Sequence, residues 1–193
     1  MPKKIIQLIL LLISCILLVG CSSSKINNPK DGFQFSLLSD GTYELISIQN
    51  KDATHLIIPD KYQNKLVTKI GPSVFEKCTK LEKLIMPKTI VSIGEKAFYN
   101  CSYLEELRIP ENVTYVARFA FANCPSLTSV TWNAKKCRDF YYNTVGNSTG
   151  GTPNSYPFYN EYITSLTFGD SVEYIPAFLC YKMDSITTIN IPN

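Results

Sequence analysis

The stretch that decides the reading is "FYNCSYLEELRIP", Phe98 to Pro110. It has a near copy upstream in "FEKCTKLEKLIMP", Phe75 to Pro87, and a second downstream in "FANCPSLTSVTW", Phe121 to Trp132. Phe75, Phe98 and Phe121 stand 23 residues apart, as do Cys78, Cys101 and Cys124, and Leu81, Leu104 and Leu127. Leu84, Leu107 and Val130 keep the step, and Met86, Ile109 and Trp132 follow it. Several apolar positions in register over three units are not produced by chance. A fixed period of this length marks a solenoid whose units bury their apolar faces only against one another.

Within a unit, the Leu-x-x-Leu-x-apolar-Pro segment predicts a short strand. Alternation turns Leu107 and Ile109 inward and Glu106 and Arg108 outward, and proline, which cannot donate to a ladder, ends the strand. The segment from Glu95 to Cys101 predicts a helical turn that brings Ala97, Phe98 and Cys101 to one side. "VTKIG" and "VSIG" precede the first two units, and "VTYVA" precedes the third. Stacked units then give a parallel sheet of short strands on one face, closed by turns on the other.

The phenylalanine, the following Asn-Cys and the Leu-x-x-Leu-x-Ile-Pro run resemble the BspA-like leucine-rich repeats of bacterial surface proteins. The resemblance covers roughly Phe33 to Pro192, and is loosest at both ends. It implies a leucine-rich-repeat solenoid, horseshoe-like and dominated by strands. It also implies that the cysteine position is interior, with the thiol acting as a small hydrophobe. Stacked equivalents with parallel side-chain directions suit a ladder better than a disulfide. The expected core is Phe75, Cys78, Leu81, Leu84, Phe98, Cys101, Leu104, Leu107, Phe121, Cys124, Leu127 and Val130.

The flanks are irregular. "FQFSLL", "SDG" and "TYELISI" predict a hairpin with Phe33, Phe35 and Leu37 on one face, an N-terminal cap over 32–66. The regular repeats span 67–132. An irregular repeat over 133–170 holds a long insertion, after which Ile163, Leu166 and Phe168 resume the pattern 59 residues beyond Leu104, Leu107 and Ile109. The last repeat, 171–193, is incomplete, with Ile186, Ile189 and Ile191 at the strand positions, Cys180 at the phenylalanine position and Met183 at the cysteine position. No polar cap follows it, and the expectation is truncation of a longer repeat protein or self-association through this end.

The first twenty residues have another purpose. Lys3 and Lys4 precede the apolar run Ile5 to Val19, shorter than the about 20 residues a membrane span needs, so 1–20 reads as a secretory signal. The run closes in "LVGC", Leu18 to Cys21, which resembles the lipobox of bacterial lipoproteins. That resemblance implies cleavage before Cys21 and acylation of its sulfur, with 21–31 as a flexible tether. Without Lys3 and Lys4 the 19 basic residues fall to 17 against 16 acidic ones, which leaves no basic excess for nucleic acid.

Chemistry is scarce. The one histidine, His55, lies beside apolar "LIIP" without a nucleophile-elbow motif. The cysteines sit a whole repeat apart, which excludes short-spaced zinc ligands, and "GNSTGGT" lacks the Gly-Lys-Ser/Thr of a phosphate loop. No cofactor, metal or catalytic residue is expected.

What remains is a surface. The outward strand positions are Lys83, Ile85, Glu106, Arg108, Ser129, Thr131, Ser165, Thr167, Thr188 and Asn190. The insertion adds Phe140, Tyr141, Tyr142, Tyr156, Phe158 and Tyr159, rings that either anchor a ligand or pack the insertion onto the solenoid. The resulting expectation is a non-enzymatic protein, lipid-anchored to the bacterial outer membrane at Cys21. It binds a protein ligand, and the family resemblance implies adhesion to host, matrix or cell-surface proteins. The alternative is a periplasm-facing scaffold or envelope-assembly component.

Overall fold

The computed structural model describes residues 26–27, 32–140 and 156–192. The signal segment, Cys21, its tether, Tyr141 and Tyr142 lie outside the described residues. Along the described chain run β1 (Ile26–Asn27), β2 (Phe33–Leu37), β3 (Tyr43–Ile48), β4 (His55–Ile57), β5 (Lys61–Tyr62), β6 (Lys65–Ile70) and β7 (Lys83–Ile85). They are followed by β8 (Ser92–Ile93), β9 (Glu106–Ile109), β10 (Tyr115–Val116), β11 (Ser129–Trp132), β12 (Ser165–Phe168) and β13 (Thr188–Asn190).

The repeat winds these strands into stacked coils with two ladders. On the first ladder β9, β11, β12 and β13 pair in parallel, so Leu107, Val130, Leu166 and Ile189 stand in one line. β4 pairs with β7 in the same parallel sense, Leu56 opposite Leu84. On the second ladder the short strands β8 and β10 continue from β6, which pairs with β3. Hairpin β2–β3 is antiparallel, as its sequence predicts, and β1 pairs with its outer strand. Phe33 and Phe35 are fully buried, but Leu37 is exposed, a departure from the expected face. It ends the strand beside the turn, where the wider rings of Tyr43 and Tyr62 pack against Phe35. The sequence reading missed a second hairpin, β5–β6, whose loop residues Gln63 and Asn64 both have positive φ, as a two-residue type I′ turn requires.

The core runs along the coil axis. Rings of Phe75, Phe98, Phe121 and Phe158 stack with centroids 4.8, 5.2 and 5.1 Å apart, their planes within 20° of parallel. Each coil thus fills its centre with an aromatic ring laid on that of the preceding coil. Phe158 was expected among the rings of the insertion; it is instead a member of this stack. All twelve expected core residues are buried.

No helix forms among the described residues. Where a helical turn was expected, at Glu95 to Cys101, the chain makes successive tight turns. Lys96, Phe98 and Asn100 donate their N–H groups to Arg118, Ala120 and Ala122 of the next coil, at 3.2, 2.7 and 3.1 Å. A helix would spend those donors on its own carbonyls four residues back. Lys96 and Asn100, four residues apart at the two ends of this run, hold left-handed φ. The same geometry recurs at Ser73 and Lys77, Phe119 and Asn123, and Phe178 and Lys182. Asparagine tolerates this conformation better than most residues, which accounts for the Asn of Asn-Cys. Asn123 also donates its side-chain amide to Asn100 Oδ1 at 3.1 Å, one coil away.

The cysteines form an interior line. The Cys101 thiol donates to the Phe75 carbonyl and the Cys124 thiol to the Phe98 carbonyl, each at 3.2 Å. In the long coil the buried Asn160 stands near this line, its amide donating to the Cys124 carbonyl at 2.9 Å. Met183 is buried at the cysteine step of the last coil, as expected. Cys180, expected in the core at the phenylalanine step, is exposed, because no described coil stacks beyond it.

Candidate functional site

Each strand of the first ladder turns every second side chain away from the core, so the coils lay outward residues in two columns. One column holds His55, Lys83, Glu106, Ser129, Ser165 and Thr188, and the other Ile57, Ile85, Arg108, Thr131, Thr167 and Asn190. The step from β7 to β9 is carried by the repeat, since these two strands do not pair. Neighbouring paired strands lie about 4.8 Å apart, so each column is a closely spaced row of functional groups. Its chemistry changes along the axis. Ile57 and Ile85 are exposed at one end, Lys83, Glu106 and Arg108 follow, and hydroxyls continue to Asn190, which donates to Thr167 Oγ1 at 3.1 Å.

At the gap between β7 and β9 the face opens into a groove of about 490 Å³. Leu84, Met86 and Pro110 supply its apolar lining, and Lys83, Glu106 and Arg108 supply charge. Glu111 at its edge meets Lys88 at 3.3 Å and Lys135 at 3.7 Å. Pairs that reach the surface in this way add little stability.

The sequence-predicted surface residues divide as follows. Lys83, Ile85, Glu106 and Arg108 are exposed and line the groove; Ser129, Thr131, Ser165 and Thr167 are half-buried in the same columns. Tyr159 is exposed, but on the turn side of the coil and not on this face. Tyr156, expected as a surface ring, is buried, packed against Phe178 and Tyr181. The insertion's apolar rings answer the same need for burial as the rest of the coil, and Phe140 is buried against Trp132.

The groups that chemistry would need are not assembled. His55 is exposed, and its ring Nδ1 shares a hydrogen bond with neighbouring Thr54 at 3.0 Å. Hydrogen bonding to Cys124 and burial hold the Cys101 thiol above its ordinary pKa, and burial pushes Cys137 up to about 12. Protonated, buried thiols are poor nucleophiles. Among the described residues no three His, Cys, Asp or Glu side chains converge as a metal site.

A second groove, of about 600 Å³, opens on the turn side between Phe119, Tyr159 and Tyr162. The sequence reading passed over it. Its signal was visible in the repeat, where Phe119 occupies the step held by Ser73 and Lys96 in the two preceding units.

Comparison with known proteins places these features. The family model for the BspA type leucine rich repeat region matches residues 49–150 and 151–193, in six copies. No curated protein matches. Among solved structures, a leucine rich cell surface protein from Faecalibacterium prausnitzii A2-165 superposes with a TM-score of 0.54 at 23% identity, covering 88% of this chain and 43% of that one. A leucine-rich repeat protein from Eubacterium ventriosum ATCC 27560 gives 0.54 at 17% identity, covering 87% and 42%. This chain spans less than half the length of either protein, and at these identities the likeness concerns the fold: a leucine-rich-repeat solenoid of parallel strands.

Proposed function

Since the chain belongs to the BspA-type leucine-rich repeat family, we propose that it is an exported, non-enzymatic binding protein that presents the outward face of its parallel sheet to a protein ligand. The observation that carries this reading is the pair of outward columns, exposed at β4, β7, β9 and β13 and half-buried at β11 and β12, with a charged groove between β7 and β9. Extended strips of this kind are how solenoids engage protein surfaces. The mixed signs of Lys83, Glu106 and Arg108 favour a partner with a matching alternation of charge. The "LVGC" segment ending in Cys21 supports a lipid anchor in the outer membrane, and the ligand class it suggests is a matrix or cell-surface protein.

Two measurements test the proposal. The purified protein is offered to immobilised fibronectin, fibrinogen, laminin and collagen, and to intact cells, beside an Arg108→Glu, Lys83→Glu variant. Binding to one of these, weakened at least about tenfold by the variant, is expected, since reversing central interface charges costs several kcal/mol. Equal binding by both proteins, or none to any target, removes the strand face from consideration. Protease shaving of intact producing cells, with a periplasmic protein as control, tests location. Loss of this protein while the control survives is expected; survival of both would exclude adhesion and turn the search to partners within the envelope.

A further inference from the structure

The second groove lies where the turn segments of three successive coils meet, and Tyr99, Phe119, Tyr159 and Tyr162 border it. Phe119 and Tyr159 meet edge to face, centroids 6.5 Å apart and planes 87° apart, so the pair forms a corner. Tyr159 is 42% exposed and Tyr162 45%. Phe119 holds a left-handed backbone at φ 56°, which is unfavourable for a bulky side chain. The two preceding coils place serine and lysine at that step. The last coil repeats both the phenylalanine and its φ at Phe178, so the conformation belongs to the repeat, and it is the half-buried Phe119 ring, set edge to face against Tyr159, that forms one wall of the groove.

The polar groups specify the ligand further. Lys96 and Lys182 are balanced by Glu161 and Asp184. Both cations are also engaged within the groove, Lys96 Nζ 5.9 Å from the Tyr99 ring centre and Lys182 Nζ 3.9 Å from Asp184. The groove therefore carries no net charge with which to attract a phosphate, a sulfate or a nucleic acid. Asn123 gives its amide to Asn100, which leaves its carbonyl oxygen as an acceptor, and Glu161 lines the same groove with its carboxylate. No aliphatic side chain larger than alanine lines the groove among the described residues. It thus lacks the dry apolar centre on which a protein partner would anchor.

Aromatic faces alternating with uncommitted acceptors match a ligand that is itself amphipathic. A pyranose ring presents a patch of C–H groups on one face and hydroxyl donors around its rim. The volume lies within the range of small-ligand sites and holds a short oligosaccharide. We propose that this groove binds a neutral oligosaccharide, with Tyr159 and Tyr162 packing on the sugar faces and Asn123 and Glu161 accepting hydrogen bonds from hydroxyls. The site is separate from the strand face and does not depend on its function.

The test is saturation-transfer NMR on the purified protein with neutral cello-, xylo-, malto- and chito-oligosaccharides, followed by titration of any that respond. Transfer to at least one is expected, and Tyr159→Ala and Tyr162→Ala each weaken binding about tenfold. Tyr162 makes no ring contact among the described residues, so Tyr162→Ala leaves the melting temperature unchanged, whereas Tyr159→Ala also loses its edge-to-face contact with Phe119 and lowers it by a few degrees at most. Arg108→Ala, on the strand face, leaves binding intact, and Glu161→Gln weakens it without removing a ring. Absence of transfer to the whole panel overturns the proposal, as does binding that both tyrosine variants retain. Binding confined to sulfated or uronic saccharides and abolished by salt also overturns it.

Discussion

Replacing Phe98 by alanine strikes the stack at its middle. The ring is fully buried and lies between Phe75 at 4.8 Å and Phe121 at 5.2 Å, nearly parallel to both. An aromatic side chain in such a position buries about 150–250 Å². At about 25 cal/mol per Å² that is worth roughly 4–6 kcal/mol. Residual burial in the unfolded chain and the alanine methyl reduce it, which brings it to the about 3–5 kcal/mol typical of phenylalanine-to-alanine changes in cores. Each coil touches only its neighbours, so the gap also uncouples the coils on either side. Urea denaturation followed by far-UV circular dichroism and by the fluorescence of buried Trp132 reads both effects. The variant should lose about 3–5 kcal/mol, and its two transitions should separate where those of the parent coincide. Tyr103→Ala, at an exposed position on the same coil, should change stability by less than about 0.5 kcal/mol. A Phe98→Ala protein no less stable than Tyr103→Ala would refute the stacked-core reasoning.

Other consequences follow from single positions. A methyl group on Gly94 would lie 2.5 Å from the Pro72 nitrogen and 2.6 Å from the Gly71 carbonyl carbon, so Gly94→Ala should cost about 1–3 kcal/mol in the same assay. Gly71→Ala, whose nearest contact is 3.0 Å from the Leu45 oxygen, should cost less, and the reverse order would contradict the coil spacing. Alkylation of the native protein, mapped by mass spectrometry, should label Cys180 and leave Cys78, Cys101, Cys124 and Cys137 until denaturation. Equal labelling of native Cys101 would dismiss the interior line. Asp139 accepts from the Tyr174 hydroxyl and the Ala177 N–H, which hold its carboxyl below the usual range. Its contribution is therefore full above the ordinary carboxylate pKa and lost as pH falls through the depressed one. Asp139→Ala should accordingly melt below the parent at neutral pH and converge with it in acid; a gap that does not change with pH would count against this.

The sequence alone determined the repeat, and with it most of the fold. Burial follows side-chain type and strand alternation, so a 23-residue step in Phe, Cys and Leu was enough to place the core and the outward face of β7, β9 and β11. The 59-residue step to Ile163 likewise carried the register across an insertion whose path the sequence does not reveal. What only the tertiary structure decided concerns partners on other coils. Glu95 to Cys101 resembles a helical turn until the next coil supplies acceptors at Arg118, Ala120 and Ala122, and the N–H groups take those instead of their own carbonyls. Tyr156 and Phe158 look alike as insertion rings, yet Phe158 enters the stack and Tyr156 is buried beside Phe178. Cys180 and Met183 both occupy core steps in the repeat, and only Met183 is covered. The groove beside Phe119 depends on three coils at once, through side chains far apart along the chain. A local pattern records what a residue prefers, but which neighbour satisfies that preference is fixed only when the coils stack.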